Sequence, residues 1–273
     1  MADGRTALRA DCSRCVGPCC VAPAFVASAD FAITKPAGQA CPNLTTEHRC
    51  GIHDRLRPRG FPGCAVFDCF GAGQHIVALT LTGPDQRPSQ AQRRAMHAAL
   101  DPARAVGEVL HHLEESSTMP LGDDLLQEVT VERARVQEVF SLPVRDLAAV
   151  DVGAIRQRVG PLLGRVSAAA RAGAGARAGR PARVGPHADL AGVSLRGADL
   201  TRADLRGSIL VGADLRDADL HLTDLLGADL RGADVRGTAM ATALFLTRPQ
   251  LEAARGDDRT TIPKVHDKPA HWR

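Results

Sequence analysis

The sequence predicts a multi-domain α+β chain on three observations: a gapless five-residue repeat over residues 188–247, a helical apolar period over 87–167, and all eight cysteines within the first 69 residues. The repeat decides the C-terminal third. Its centres are large and apolar: Leu190, Leu195, Leu200, Leu205, Leu210, Leu215, Leu220, Leu225, Leu230, Val235, Met240 and Phe245. Mostly small residues stand two positions earlier, beginning with Ala188 and ending with Ala243. Five fits neither the helical period of about 3.6 nor the strict alternation of a strand. A chain that buries both sets must turn a corner every five residues.

The blocks A-D-L-T-R, A-D-L-R-G and A-D-L-R-D resemble the pentapeptide repeat family, over 60 of the 273 residues. The resemblance implies a right-handed quadrilateral β-helix. Twelve repeats at about twenty residues per coil give three coils, about the minimum for a solenoid. Residues twenty apart are then expected to stack, Leu190 on Leu210 on Leu230 and Leu205 on Leu225 on Phe245. Both open ends need covering against edge pairing. At the C-terminal end a helix signal, with Thr247 as N-cap and Gly256 as stop, predicts a capping helix, followed by an irregular tail that carries Trp272.

The chain reads as five segments: a Cys-rich module (1–86), a helical region (87–167), an Ala/Gly/Arg linker (168–187), the repeat (188–247), and a capping helix with tail (248–273). In the helical region Val106, Val109, Leu110 and Leu113 share one face. Leu125, Val129, Val136 and Phe140 share a second, and Leu147, Val150, Val159, Leu162, Leu163 and Val166 a third. Pro120 and Pro143 divide them. His111 and His112 are adjacent on one helix and point apart, which argues against a metal site there.

Charge limits the function classes. The pentapeptide family includes acidic DNA mimics, but residues 188–247 carry nine Asp and six Arg, a net charge of 6 − 9 = −3, with the two signs interspersed. A phosphate mimic needs a long field of one sign. The whole chain is +3, with no Tyr and eight aromatic residues, which disfavours a nucleic-acid partner. No apolar run is long enough to span a membrane, and the N-terminal M-A-D-G-R-T has no apolar leader core, so a cytoplasmic protein is expected. The outward apolar residues Ile209, Val211, Leu222, Leu226, Leu244 and Leu246 are either ordinary surface or a docking face for a protein partner or a second copy. No Ser/His/Asp set, nucleotide loop or paired carboxylate has catalytic spacing.

The cysteines run Cys12-x2-Cys15-x3-Cys19-Cys20, then Cys41-x8-Cys50-Gly51-Ile52-His53, then Cys64-x4-Cys69. In a reducing compartment such a cluster is better explained by metal ligation than by disulfides or redox thiols, because two thiolates three apart grip one ion from a single turn. The layout resembles the CxxCxxCC family of zinc- or iron-chelating domains, over about residues 10–72. The extra residue between Cys15 and Cys19 leaves both Cys19 and Cys20 as candidates for the third ligand position. Candidate ligands are therefore Cys12, Cys15, Cys19, Cys20, Cys41, Cys50, Cys64, Cys69 and His53. The expected cofactor is zinc, with iron or an iron–sulfur cluster as the alternative. Arg14, Arg49, Arg55, Arg57 and Arg59 lie nearby, either balancing thiolate charge or forming solvated surface. The expected function is a non-catalytic metal-binding and protein-interaction protein. The alternative is a redox or metal-handling enzyme centred on the cysteines.

Overall fold

The computed structural model describes residues 8–81, 88–173 and 183–272. The chain forms two compact units, Met1–Gly164 and Arg165–Arg273. Among the described residues there are seven α-helices: α1 Pro62–Ala65, α2 Ala72–Thr80, α3 Gln90–Ser116, α4 Asp123–Phe140, α5 Val144–Leu147, α6 Val152–Ala170 and α7 Arg248–Ala253.

The first unit is organised by α3. Its start is fixed reciprocally: the Gln92 N–H donates to Ser89 Oγ at 3.2 Å, and the Ser89 N–H donates to Gln92 Oε1 at 2.8 Å. Met96, Leu100, Val106, Leu110 and Leu113 are buried along one side. The helix packs against α2, α4 and α5. From α4, Val129, Val136 and Phe140 enter the same core. Glu132, buried on α4, is bonded by Arg158 at 2.5 Å and Arg135 at 3.4 Å, so its charge is paired.

Residues 8–61 contain no regular element longer than a turn. They hold three 3-10 turns, Cys12–Arg14, Pro18–Cys20 and His53–Arg55. Two isolated antiparallel bridges, Phe25↔Lys35 and Leu44↔Cys50, join them. The first turn packs on α2 and the second on α3.

In the second unit the repeat pairs with itself twenty residues on. Parallel bridges run Asp189↔Ile209↔Asp229, Ser194↔Asp214↔Asp234, Asp199↔Asp219↔Ala239 and Asp204↔Asp224↔Leu244. Every one is a single-residue bridge. The expected right-handed quadrilateral β-helix is therefore corrected: among the described residues no β-strand, sheet or barrel forms. The cause is the period itself. One residue in five forms a bridge, and a two-residue turn lies one position beyond it on either side, so the chain turns before consecutive residues can extend a strand. The repeat is a ladder of turns and isolated bridges around a leucine core, in which all twelve repeat centres are at most 3 % exposed.

Each corner has its own chemistry. The residue two past the centre has positive φ at Gly192, Gly197, Arg202, Gly207, Gly212, Asp217, Leu222, Gly227, Gly232 and Gly237. Glycine fills most of these positions because L side chains resist that conformation. Where an aspartate precedes the centre it closes the turn: Asp214 Oδ1 accepts the Arg216 N–H at 3.2 Å, and the same contact recurs at Asp199, Asp204, Asp219, Asp224, Asp229 and Asp234. Where the inner small position is a hydroxyl, it bonds a core carbonyl, as in Thr223 Oγ1 to Leu200 O and Thr238 Oγ1 to Leu215 O, both 2.7 Å.

The C-terminal end is covered. Helix α7 follows Thr247, whose N–H donates to Gln250 Oε1 at 2.8 Å, and Gln250 Nε2 reaches the Leu225 and Ala228 carbonyls. The tail continues the ladder with bridges Asp234↔Arg255 and Ala239↔Thr261. Trp272 lies over Gly256 and is 5 % exposed. Of the expected linker, residues 168–170 end α6, and residues 174–182 lie outside the described residues.

Candidate thiol centre and repeat surface

Short turns present the cysteines. The Asp11 side chain caps the Cys12–Arg14 turn by accepting the Ser13 N–H at 2.9 Å. Gln74 of α2 ties this segment down, accepting the Asp11 N–H at 3.2 Å and donating to Arg9 O at 2.7 Å. Gly17 enters the Pro18–Cys20 turn at φ 68°, with Leu44 and the His48 carbonyl crowding the place a Cβ would take. None of the eight cysteines is in a disulfide.

The thiols sort into two sets. Cys12, Cys15, Cys19 and Cys69 line one small cavity of about 20 Å³, together with Gly73 and Leu100. That volume suits one water-sized body. A Cβ on Gly73 would lie 3.0 Å from Cys15 Sγ, a tight approach, and 3.6 Å from Cys69 Sγ, an ordinary contact, so the glycine leaves room chiefly for Cys15. The second set is Cys20, Cys41, Cys50 and Cys64. Cys41 and Cys50 act electrostatically on both Cys20 and Cys64, and so does Cys19 of the first set, so the two sets adjoin. The neighbouring Cys19 and Cys20 side chains hydrogen-bond and join the sets. Burial pushes Cys15 and Cys64 up to about 12 and Cys69 up to about 11. The hydrogen bond from Cys20 lowers Cys19. Protonated thiols do not repel one another, and among the described residues no group of three or more His, Cys, Asp or Glu side chains is assembled as a ready metal site.

His53 stands apart. It is exposed in its 3-10 turn, whereas Cys15, Cys19, Cys20, Cys64 and Cys69 are all at least half-buried. Of the nearby arginines, Arg55 pairs with Asp54 at 3.4 Å, Arg49 reaches Ser13 O at 3.4 Å, and Arg57 is half-buried with its Nε out of solvent. The most deeply buried cation of this region is Lys35, which sequence reading passed over. One signal was available. Only three of the 34 basic residues are lysine, and Lys35 is the one outside the tail.

On the ladder surface, arginines return to the turn-closing aspartates. Arg216 places Nε and Nη2 at 2.8 and 2.6 Å from the Asp214 carboxylate, and Arg206, Arg231 and Arg236 do likewise at Asp204, Asp229 and Asp234. The Arg216 hydrogen bonds hold Asp214 down to about 2. These carboxylates are thus committed to local pairs. Of the six apolar residues expected outside, Leu244 and Leu246 are buried at 5 % and 1 %, because α7 and the tail cover that end. Ile209 is 44 % exposed, and Val211, Leu222 and Leu226 are half-buried.

The register, the turn-closing aspartates and the glycine corners mark a segment of pentapeptide repeats: residues 187–221 and 198–237 match the Pentapeptide repeats family, in eight copies. Beyond the repeat, the chain is 39 % identical over 266 residues to Uncharacterized protein YybG of Bacillus subtilis (strain 168), covering 97 % of this chain and 95 % of that protein. The chain belongs to the same family as that protein. No solved structure matches it. Among the described residues no helix is long and apolar enough to cross a membrane.

Proposed function

We propose that this chain is a non-catalytic interaction scaffold whose N-terminal cysteines hold metal, one zinc ion in each set of four thiols. The observation that carries the reading is the gathering of eight cysteines, none in a disulfide, within the 58 residues from Cys12 to Cys69, four of them around one cavity. Sulfur donors in fours suit a closed structural site. When bound, zinc supplies a charge that favours the thiolate form. The residues of each set must release protons and close on the ion, with Gly73 leaving room chiefly for Cys15. Residues 8–61, built of turns, would gain most from such a clasp. A cytoplasmic location belongs to this reading, since free thiols at this density persist in a reducing compartment.

The scaffold part rests on the repeats, which suggest protein interaction. Its contact surface is the ladder exterior, with Ile209, Val211, Leu222 and Leu226 as the apolar part and a protein or a second copy as the partner. Metal and acid-labile sulfide analysis of anaerobically purified full-length protein tests the metal reading. Two zinc per chain in a colourless protein are expected, falling to one in Cys69→Ser and to one in Cys41→Ser. A brown, sulfide-containing protein would replace this reading with a redox centre, and protein that binds no metal would end both.

A further inference from the structure

Lys35 is 2 % exposed, yet its ammonium meets no carboxylate among its hydrogen-bond partners. Four backbone carbonyls surround Nζ: Val21 O at 3.1 Å, Pro23 O at 2.6 Å, Pro36 O at 3.1 Å and Gln39 O at 2.7 Å. The Phe25 ring closes the cage with its centroid 4.9 Å away, and Phe31 stacks on that ring at 4.5 Å. Carbonyl oxygens and a π face are what a small desolvated cation requires. The chain fills this position with its own ammonium. An arginine fork is too large and planar for such a cage, which accounts for lysine in a chain that otherwise uses arginine here.

The cage is built from the two backbone segments that carry Cys20 and Cys41, two of the four thiols of the second set. Val21 follows Cys20, and Gln39 lies two residues before Cys41. The Cys41 N–H donates to Cys20 O at 2.9 Å, and the Gly38 N–H donates to Val21 O at 2.9 Å, so the segments touch on both sides of the ammonium. The Phe25↔Lys35 bridge closes the same loop. Cys41 and Cys20 are also the two groups whose negative charge would act on Lys35. Four thiolates around a divalent ion leave the site two charges negative, and a fixed buried cation offsets part of that.

We infer that Lys35 is a positioning residue for the second thiol set: its ammonium clamps the Cys20 and Cys41 segments together and serves as the built-in counter-charge of a thiolate-bound divalent ion. The inference rests on the metal reading above. It also makes the two sets unequal, because two thiols of the second set, Cys20 and Cys41, flank the cage, against only Cys19 of the cavity set.

Cobalt(II) titration of the anaerobic full-length protein, followed by the sulfur-to-cobalt charge-transfer band, tests it. Wild type should bind two equivalents. Lys35→Met keeps the unbranched apolar stem, one atom shorter, but removes donors and charge. It should bind one equivalent as wild type does and the other at least tenfold more weakly, and in a Cys69→Ser background the weakened equivalent should be the one left. Lys35→Ala with added propylammonium covers the case in which the methionine variant fails to fold. Recovery of the second equivalent by propylammonium, and not by the neutral 1-propanol, supports the counter-charge. Equal recovery by both, or by neither, overturns it, as does unchanged two-site binding in Lys35→Met. Wild type that binds no cobalt instead removes the metal reading itself.

Discussion

At the residue scale, the corners of the ladder show how far a local rule carries. Gly212 sits at φ 64° with open space where its Cβ would be, so Gly212→Ala tests conformation alone. It should cost about 1 kcal/mol. Leu222 occupies the equivalent corner at φ 54° with a branched side chain that resists it. Its N–H to Thr242 Oγ1 contact, 3.3 Å, needs only backbone. Leu222→Gly should therefore stabilise the second unit by about 0.5–1 kcal/mol, less whatever its half-buried side chain contributes. Thermal melts of the two variants moving in opposite directions are the expected result, and a loss of stability in Leu222→Gly would show that its side chain outweighs the strain. These corners were legible from the A-D-L-R-G blocks as turns, but the exceptions at Arg202, Asp217 and Leu222 were not, because tertiary pairing imposes their conformation.

His112 makes a second residue-scale case. Burial, with His111 and Arg156 adding to it, lowers this histidine to about 3. A base whose folded pKa lies below its unfolded value near 6.5 binds fewer protons when folded. The first unit should then lose stability as pH falls from about 6.5 towards 3, and hold it above that window. In His112→Leu the slope of stability against pH over that window should flatten, with the cysteines unchanged in both proteins. Parallel slopes would mean that the imidazole is solvated enough to titrate normally.

At the element scale, the cap decides how the ladder ends. The helix signal after Thr247 was readable because N-cap chemistry is local: Thr247 begins α7 as expected, although the helix stops at Ala253, before Gly256. The role of Trp272 was not readable, since it depends on a tail returning over the core sixteen residues after Gly256. Its indole Nε1 donates to Ala254 O at 3.2 Å, and its ring fills the space over Gly256. Trp272→Ala should cost the second unit about 3–5 kcal/mol through the cavity it leaves, and Trp272→Phe about 1 kcal/mol with the lost donor. If both melt like wild type, the ladder is sealed by α7 alone. The β-helix expectation failed on this same scale. The period of five set the register and the core, but it also confines each pairing to one residue between corners, which periodicity alone does not reveal.

At the scale of the whole molecule, the two units draw on different sources of stability. The second has a continuous leucine core from Leu190 to Met240, backed by hydrogen bonds from most centre N–H groups to the next circuit, such as Leu190 to Ile209 O at 2.8 Å. The first has a comparable core only from α2 onward, while residues 8–61 bury Leu8, Phe25, Cys41, Ile52 and Phe61 among many exposed positions. Segments with so little apolar burial rarely hold a unique structure without a crosslink or an ion. The cysteine spacing made that need visible in the sequence; the division into two sets and the cage of Lys35 depended on how the turns meet. Hydrogen exchange with and without a strong chelator should therefore separate three regions. Amides of residues 8–69 should lose protection when metal is removed, those of α3 and α4 should lose little, and those of the ladder none. Unchanged protection at 8–69 would show that turns and Lys35 suffice without metal, and a loss in the ladder would show that the repeat depends on the ion as well.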